Sequence, residues 1–260
     1  ILNRLQFLAR RKTRLIAARL FSFLPLGIAI KLIGLLQISQ GFGVGHKISK
    51  SGEIGAIKTI FQDKELHELN FFDVGANRGE YTVRLLQLFP NCRIFAFEPS
   101  STTFEMLKTN VQHNQVKLLN YGLAQTSGEF PLYKADPVSR ISSLTPVRLP
   151  EKQRSKSPQV KNASDAFKEI VTIYRLDDIF PSFGLERIDL LKIDVEGHEL
   201  DVLRGSKQLF EKRLIENIQF EVGEFNIDTK VSFRDIFEYL SQHDFTLSVI
   251  KHGKLIRLPT

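Results

Sequence analysis

Between residues 71 and 79 the chain reads Phe71-Phe72-Asp73-Val74-Gly75-Ala76-Asn77-Arg78-Gly79, and this run decides what the rest can build around it. Two Phe, an Asp and a Val read as the buried end of a strand. Gly75 and Gly79 permit a tight turn and close backbone approach to a ligand. Residues 80–89 follow as a helix, with Val83, Leu86 and Phe89 spaced for one apolar face. Strand, glycine turn and helix N-terminus in succession predict an α/β domain with a nucleotide pocket, because free backbone N–H groups point out of such a turn. Glu98, nineteen residues beyond Gly79, ends a second apolar strand, Arg93-Ile94-Phe95-Ala96-Phe97. An acid there can accept hydrogen bonds from both hydroxyls of a ribose.

Two adenosine cofactors fit that pattern: a nicotinamide dinucleotide and S-adenosyl-L-methionine. A dinucleotide site uses a second glycine so that the backbone can reach the pyrophosphate. Asn77 stands at that position. S-adenosyl-L-methionine has no phosphate and carries an ammonium and a sulfonium. Asp73 suits those charges and would repel a pyrophosphate, so the charge logic favours S-adenosyl-L-methionine.

The chain has 260 residues and a net charge of +7, and the charge is unevenly spread. Residues 1–52 hold nine Lys or Arg and no acid, which leaves 27 basic residues against all 29 acidic ones in the remainder. The α/β part is therefore near neutral, which argues against a nucleic-acid groove on it. A single cysteine, Cys92, excludes an intrachain disulfide framework and a Cys-rich zinc site, and favours a reducing, cytoplasmic setting. Residues 1–38 read as a basic helical extension, with an uncharged stretch at 20–30 too short for a membrane span. Three readings fit it: a helix pair on an anionic membrane surface, a cap on the domain or on a second subunit of a homodimer, or a transit or signal segment. We divide the chain into this extension, residues 1–55, and one α/β domain, residues 56–260.

Further along, residues 101–114 read as a helix capped by Ser101, and residues 116–121 as a third strand. The loop after it borders the adenine in a doubly wound sheet, making Asn120, Gly122 and Leu123 adenine neighbours. Residues 128–133 and 170–174 pair as a hairpin. Between them, residues 147–168 carry six Lys or Arg against two acids. That stretch reads as a solvated loop or as a basic lid over the substrate, with residues 139–143 at its inner edge.

The most specific segment is Ile188-Asp189-Leu190-Leu191-Lys192-Ile193-Asp194-Val195-Glu196-Gly197-His198-Glu199. Residues 188–193 form a buried parallel strand by their apolar run. In an open α/β sheet this strand lies beside the first, so Asp194, Glu196 and His198 emerge at the crevice where ligands bind. Three ionisable groups in five residues at that point are costly without a purpose. A fifth strand at 215–222, a helix from Ser232 with Asp235 at capping-box spacing, and a closing hairpin at 245–250 and 255–258 complete the pattern.

Phe72-Asp73-Val74-Gly75-Ala76-Asn77 with Gly79, Phe97-Glu98-Pro99, Leu176-Asp177-Asp178, the 191–199 segment and Leu203-Arg204-Gly205 together resemble the FkbM-type methyltransferase family, from about residue 70 to 222. The resemblance implies a class I, Rossmann-like fold: a seven-stranded, mostly parallel sheet with a C-terminal antiparallel hairpin. It also implies an S-adenosyl-L-methionine-dependent O-methyltransferase acting on hydroxyls of sugars, glycans or secondary metabolites. Cofactor binding then falls to Asp73, Gly75, Ala76, Asn77, Gly79, Glu98, Pro99, Asn120, Gly122 and Leu123.

Methyl transfer to oxygen needs the nucleophile close to the methyl carbon and a group to take its proton. His198 and Asp194 are the candidate bases, and Glu196 the group that orients the acceptor; His198 has the better ordinary pKa for a base near neutral pH. Asp194, Glu196, His198 and Glu221 are also metal-type ligands, but proximity catalysis needs no metal and none is assigned. Two other functions compete: a dinucleotide-dependent sugar-modifying oxidoreductase, and a methyltransferase-like binding protein without activity.

Overall fold

The computed structural model describes residues 52–62, 69–134, 142–146, 167–223, 225–251 and 253–258, together with Pro25, Ile28 and Leu32. The readings of residues 1–38 as membrane-surface helix, cap or transit segment lie outside the described residues, apart from those three positions. So do most of the extension to residue 55 and the basic lid at 147–166. Among the described residues no helix is long and apolar enough to cross a membrane. Among the described residues, those of 58–248 and 257–258 form one compact unit, whereas those of 249–256 belong to a second with 52–57.

In chain order the elements are α1 (Glu53–Phe61), β1 (Asn70–Val74), α2 (Glu80–Leu88), β2 (Arg93–Phe97), α3 (Ser101–Asn110), β3 (Val116–Leu119), β4 (Gly122–Leu123), β5 (Gly128–Lys134), β6 (Ser142–Ser143) and β7 (Phe167–Tyr174). They continue with α4 (Leu176–Ile179), a 3-10 turn (Phe180–Phe183), β8 (Leu190–Ile193), α5 (Glu199–Arg204), α6 (Lys207–Glu211), β9 (Ile218–Phe220), α7 (Phe225–Thr229), α8 (Phe233–Gln242), β10 (Ser248–Lys251) and β11 (Lys254–Arg257).

The core sheet is parallel with strand order β3-β2-β1-β8-β9. The order reverses at β1, so the crevice beyond its end is the switch point of a doubly wound sheet. The mostly parallel sheet and the C-terminal antiparallel hairpin expected from the sequence are both present; among the described residues five strands form the parallel sheet and the hairpin, β10-β11, pairs by itself instead of extending it to seven. A second, four-stranded sheet of order β4-β7-β5-β6 stands apart. Its β5–β7 ladder is the antiparallel hairpin read from the sequence, running from Gly128↔Ile173 to Lys134↔Phe167.

Side chains of a strand alternate between the two faces of the sheet, and Phe71 and Phe72 do so here. Phe72 stacks on Phe95 at 4.9 Å and on Phe97 at 5.5 Å, with Phe183 edge-on at 5.6 Å. Phe71 meets Phe61 and Phe89 on the opposite face, at 5.3 Å each. Fully burying one Phe stabilises by about 1.5–3 kcal/mol, so these aromatic layers fix the register of β1. The cap of α3 is Ser100, which accepts from Thr103 N–H, one residue before the Ser101 read from the sequence, and Ser232 with Asp235 makes the expected reciprocal capping box on α8.

Candidate active site

One cavity opens at the carboxyl ends of the core strands, where ligands sit in an open α/β sheet. Val74, Gly75 and Asn77 reach it from β1, and Glu98 and Pro99 from β2. Asp194, Val195, Glu196 and His198 come from β8. The second sheet supplies the rest: Gly122 and Leu123 of β4, Leu132 of β5, Ser142 and Ser143 of β6 with Leu144, and Ile173 of β7.

Glu98 is only 4% exposed. Its two carboxylate oxygens accept from Asn77 N–H at 3.0 Å and Ser100 N–H at 2.9 Å. Burial outweighs those bonds and pushes its pKa up to about 7. Asn120 stays outside the cavity lining and holds this wall in place, donating to the Glu98 and Pro99 carbonyls at 3.0 and 3.2 Å.

The turn after β1 differs from the sequence expectation. Gly75 N–H and Ala76 N–H both donate to Phe97 O, at 3.0 and 2.9 Å, and Asn77 N–H goes to Glu98. These groups fasten β1 to β2 instead of pointing at a ligand. Gly75 sits at φ +80, and a Cβ on it would lie 1.9 Å from the Asp194 carbonyl oxygen. Glycine is required there so that the ends of β1 and β8 can close on each other. A Cβ on Gly79 would strike Val111 at 2.4 Å and Leu107 at 2.7 Å, so that glycine serves helix packing. Ala76 is buried against Ala96, Leu107 and Val111. Neither Ala76 nor Gly79 lines the cavity.

Asp73 is likewise absent from the lining and fully buried. It is the register partner of Lys192, whose Nζ lies 3.3 Å from it, and it accepts from Thr82 Oγ1 at 2.6 Å. The acid read as a partner for a cationic ligand is thus already paired within the sheet. Lys192 also reaches Asp194 at 3.2 Å and covers the Tyr81 ring at 5.1 Å. It steadies Asp194 at the cavity edge, and nothing in an apolar strand pattern marks that role.

Beyond β8 the backbone turns sharply, with Glu196 at φ +52 and Gly197 at φ +99. Buried Glu199 ties this loop together: it accepts from Gly197 N–H at 3.0 Å and Val195 N–H at 3.4 Å, and from Asn226 Nδ2 at 2.9 Å. Ser143 Oγ donates to the Glu196 carbonyl at 3.0 Å. Burial, then the nearby acids Asp194, Glu221 and Glu199, push the Glu196 pKa up to about 8. His198 Nδ1 lies 2.8 Å from Asp201 Oδ2, and Nε2 lies 3.1 Å from Thr145 Oγ1. Ser142 and Ser143, read from the sequence as part of the inner edge of a lid, line the cavity, whereas Thr145, Asp201 and Lys192 are neighbours that sequence reasoning did not assign to the site. Among the described residues no group of three or more His, Cys, Asp or Glu is arranged to hold a metal ion.

This donor set tests the cofactor. None of the described lining residues is Lys or Arg, while Glu98, Asp194 and Glu196 all face the cavity. With the N–H groups of Gly75, Ala76 and Asn77 already bonded, a pyrophosphate would meet three carboxylates and no cationic side chain among the described lining residues. A sulfonium cofactor with a ribose and an adenine fits: acid at Glu98, apolar surface at Pro99, Leu123 and Ile173. A five-stranded parallel sheet in this order, with this site at its switch point, fits a Rossmann-like methyltransferase that uses S-adenosylmethionine.

The comparisons with known proteins agree. The sequence profile described as the methyltransferase FkbM domain matches residues 73–247. A methyltransferase of Sordaria araneosa, sdnD, is 36% identical over 151 residues, covering 51% of this chain and 58% of that protein. Methyltransferase 1 of Beauveria bassiana is 28% identical over 241 residues, covering 84% of this chain and 91% of that protein. The 2-O-methyltransferase NoeI of Sinorhizobium fredii is 29% identical over 185 residues, covering 70% of this chain and 74% of that protein. The chain belongs to the FkbM methyltransferase family.

Proposed function

We propose that this protein methylates a hydroxyl group of a sugar, glycan or secondary metabolite, in the cytoplasm. The observation that carries the reading is one cavity lined from β2 by Glu98 and from β8 by Asp194, Glu196 and His198, on opposite sides of Gly75. The 2-O-methylation printed in the name of NoeI supports oxygen as the acceptor atom. When bound, S-adenosylmethionine supplies an electrophilic methyl group. On this reading the Glu98 carboxylate accepts from the ribose hydroxyls, and Pro99, Gly122 and Leu123 flank the adenine. Glu196, neutral near pH 7 with its pKa raised to about 8, donates a hydrogen bond that orients the acceptor. Asp194, held by Lys192, fixes the cavity edge. His198 takes the proton that the acceptor hydroxyl loses, a contribution typically worth about 100- to 10,000-fold in rate.

The test is methyl transfer from radiolabelled S-adenosylmethionine to a panel of methyl glycosides of hexoses and 6-deoxyhexoses and of hydroxylated polyketides. Label on an acceptor oxygen, abolished in His198→Ala, is the expected result. Label found only on carbon, or label on oxygen undiminished in His198→Ala, would overturn it.

A further inference from the structure

His198 is held at both ring nitrogens, and the two partners differ in kind. Asp201 stands three residues on, in the first turn of α5, and its Oδ2 lies 2.8 Å from Nδ1. A carboxylate only accepts, so the bond requires a proton on Nδ1 of the neutral ring. Nε2 then keeps its lone pair. A hydroxyl faces it: Thr145 Oγ1 at 3.1 Å, a group that can donate. Thr145 follows β6, which docks on the reactive loop through Ser143 and the Glu196 carbonyl. The Thr145 side chain is a secondary alcohol, the same class of hydroxyl that a sugar ring carries.

We propose that Asp201 is a positioning residue that locks His198 in the Nδ1–H tautomer. The Thr145 hydroxyl then occupies at Nε2 the place that an acceptor hydroxyl takes during reaction. The proposal rests on His198 being the proton acceptor, and it adds how the correct nitrogen is kept free. The arrangement repeats the logic of a carboxylate–histidine–hydroxyl relay, in which the carboxylate orients the ring and does not itself take the proton.

The experiment reads the tautomer directly. Protein labelled with ¹⁵N at histidine is examined by long-range ¹H–¹⁵N correlation, with the His198 signals assigned from their loss in His198→Gln. The wild type is expected to show Nδ1 protonated and Nε2 bare. Asp201→Ala should shift the majority of the population to the Nε2–H form, while Thr145→Ala leaves Nδ1 protonated. A proton on Nε2 in the wild type, or an unchanged tautomer in Asp201→Ala, overturns the proposal. With whichever panel acceptor gives turnover, Asp201→Ala should lower kcat about tenfold or more, leaving KM for S-adenosylmethionine unchanged. Full retention of kcat also overturns it. Titration of the same samples with S-adenosylhomocysteine separates the two levels: loss of binding in the wild type would sink the cofactor reading and leave the tautomer result standing.

Discussion

The two sides of the cavity hold acids that are set up in opposite ways. Glu98, beyond β2, is buried and accepts two backbone N–H bonds, with the Lys134–Glu169 ion pair nearby. Glu196, beyond β8, is half-buried on a backbone at φ +52, with Asp194, Glu199 and Glu221 around it. Both carboxyls titrate high, at about 7 and about 8. Burial is the first cause for each; at Glu98 it is opposed by two backbone hydrogen bonds and Lys134, with a smaller upward push from Glu169, whereas at Glu196 the next causes are the acids Asp194, Glu221 and Glu199. Under the proposed function, the contrast separates a wall that holds the cofactor's ribose from an acid-rich wall that meets the acceptor.

The largest effect should come from joining the two walls badly. Gly75→Ala places a Cβ against the Asp194 carbonyl at a positive φ, and should cost roughly 3 kcal/mol or more of stability. Thermal unfolding measures it, and a variant as stable as the wild type would mean that the β1 and β8 ends do not meet as described. Next, His198→Ala should cut methyl transfer about 100-fold or more while leaving S-adenosylhomocysteine affinity within about twofold. A loss of affinity equal to the loss of rate would erase the division between the walls.

Smaller effects follow from protonation. Both acids carry folded pKa values above their ordinary 4.5. The folded state therefore binds more protons than the unfolded state across that interval. Their contribution to stability is fully present below about pH 4.5 and is lost as pH rises through about 7 for Glu98 and about 8 for Glu196. Urea unfolding of the ligand-free protein should show stability lower at pH 8.5 than at pH 6, with part of the difference removed in Glu98→Gln. Ribose hydroxyls donating to Glu98 favour its ionised form, so binding of S-adenosylhomocysteine near pH 6.5 should release protons. Titrations in buffers of different ionisation enthalpy report that number; proton uptake would contradict the assigned pair.

Much of this was legible in the sequence because it is local. The strand, turn and helix around Gly75, the acid ending β2, and the Asp194-Val195-Glu196-Gly197-His198 run are contiguous, and contiguous residues at a strand end share one edge of the sheet. What escaped depends on register. Asp73 reads as a ligand acid until β1 is set against β8, which brings Lys192 beside it. The N–H groups of the turn read as free until β2 supplies Phe97 O and Glu98. Thr145 reaches His198 from β6's flank, and two-residue strands such as β4 and β6 leave no periodic signal to place the second sheet; Asp201, three residues from His198, is local and was legible, though sequence reasoning did not assign it.

The most direct test of the two-walled site is calorimetric titration of S-adenosylhomocysteine into wild type, Glu98→Ala and His198→Ala. Losing Glu98 should weaken binding about tenfold or more, the equivalent of one hydrogen bond of about 1.4 kcal/mol, while losing His198 leaves binding within about twofold. Equal affinity in Glu98→Ala, or the larger loss in His198→Ala, would contradict the placement of the cofactor on the β2 side.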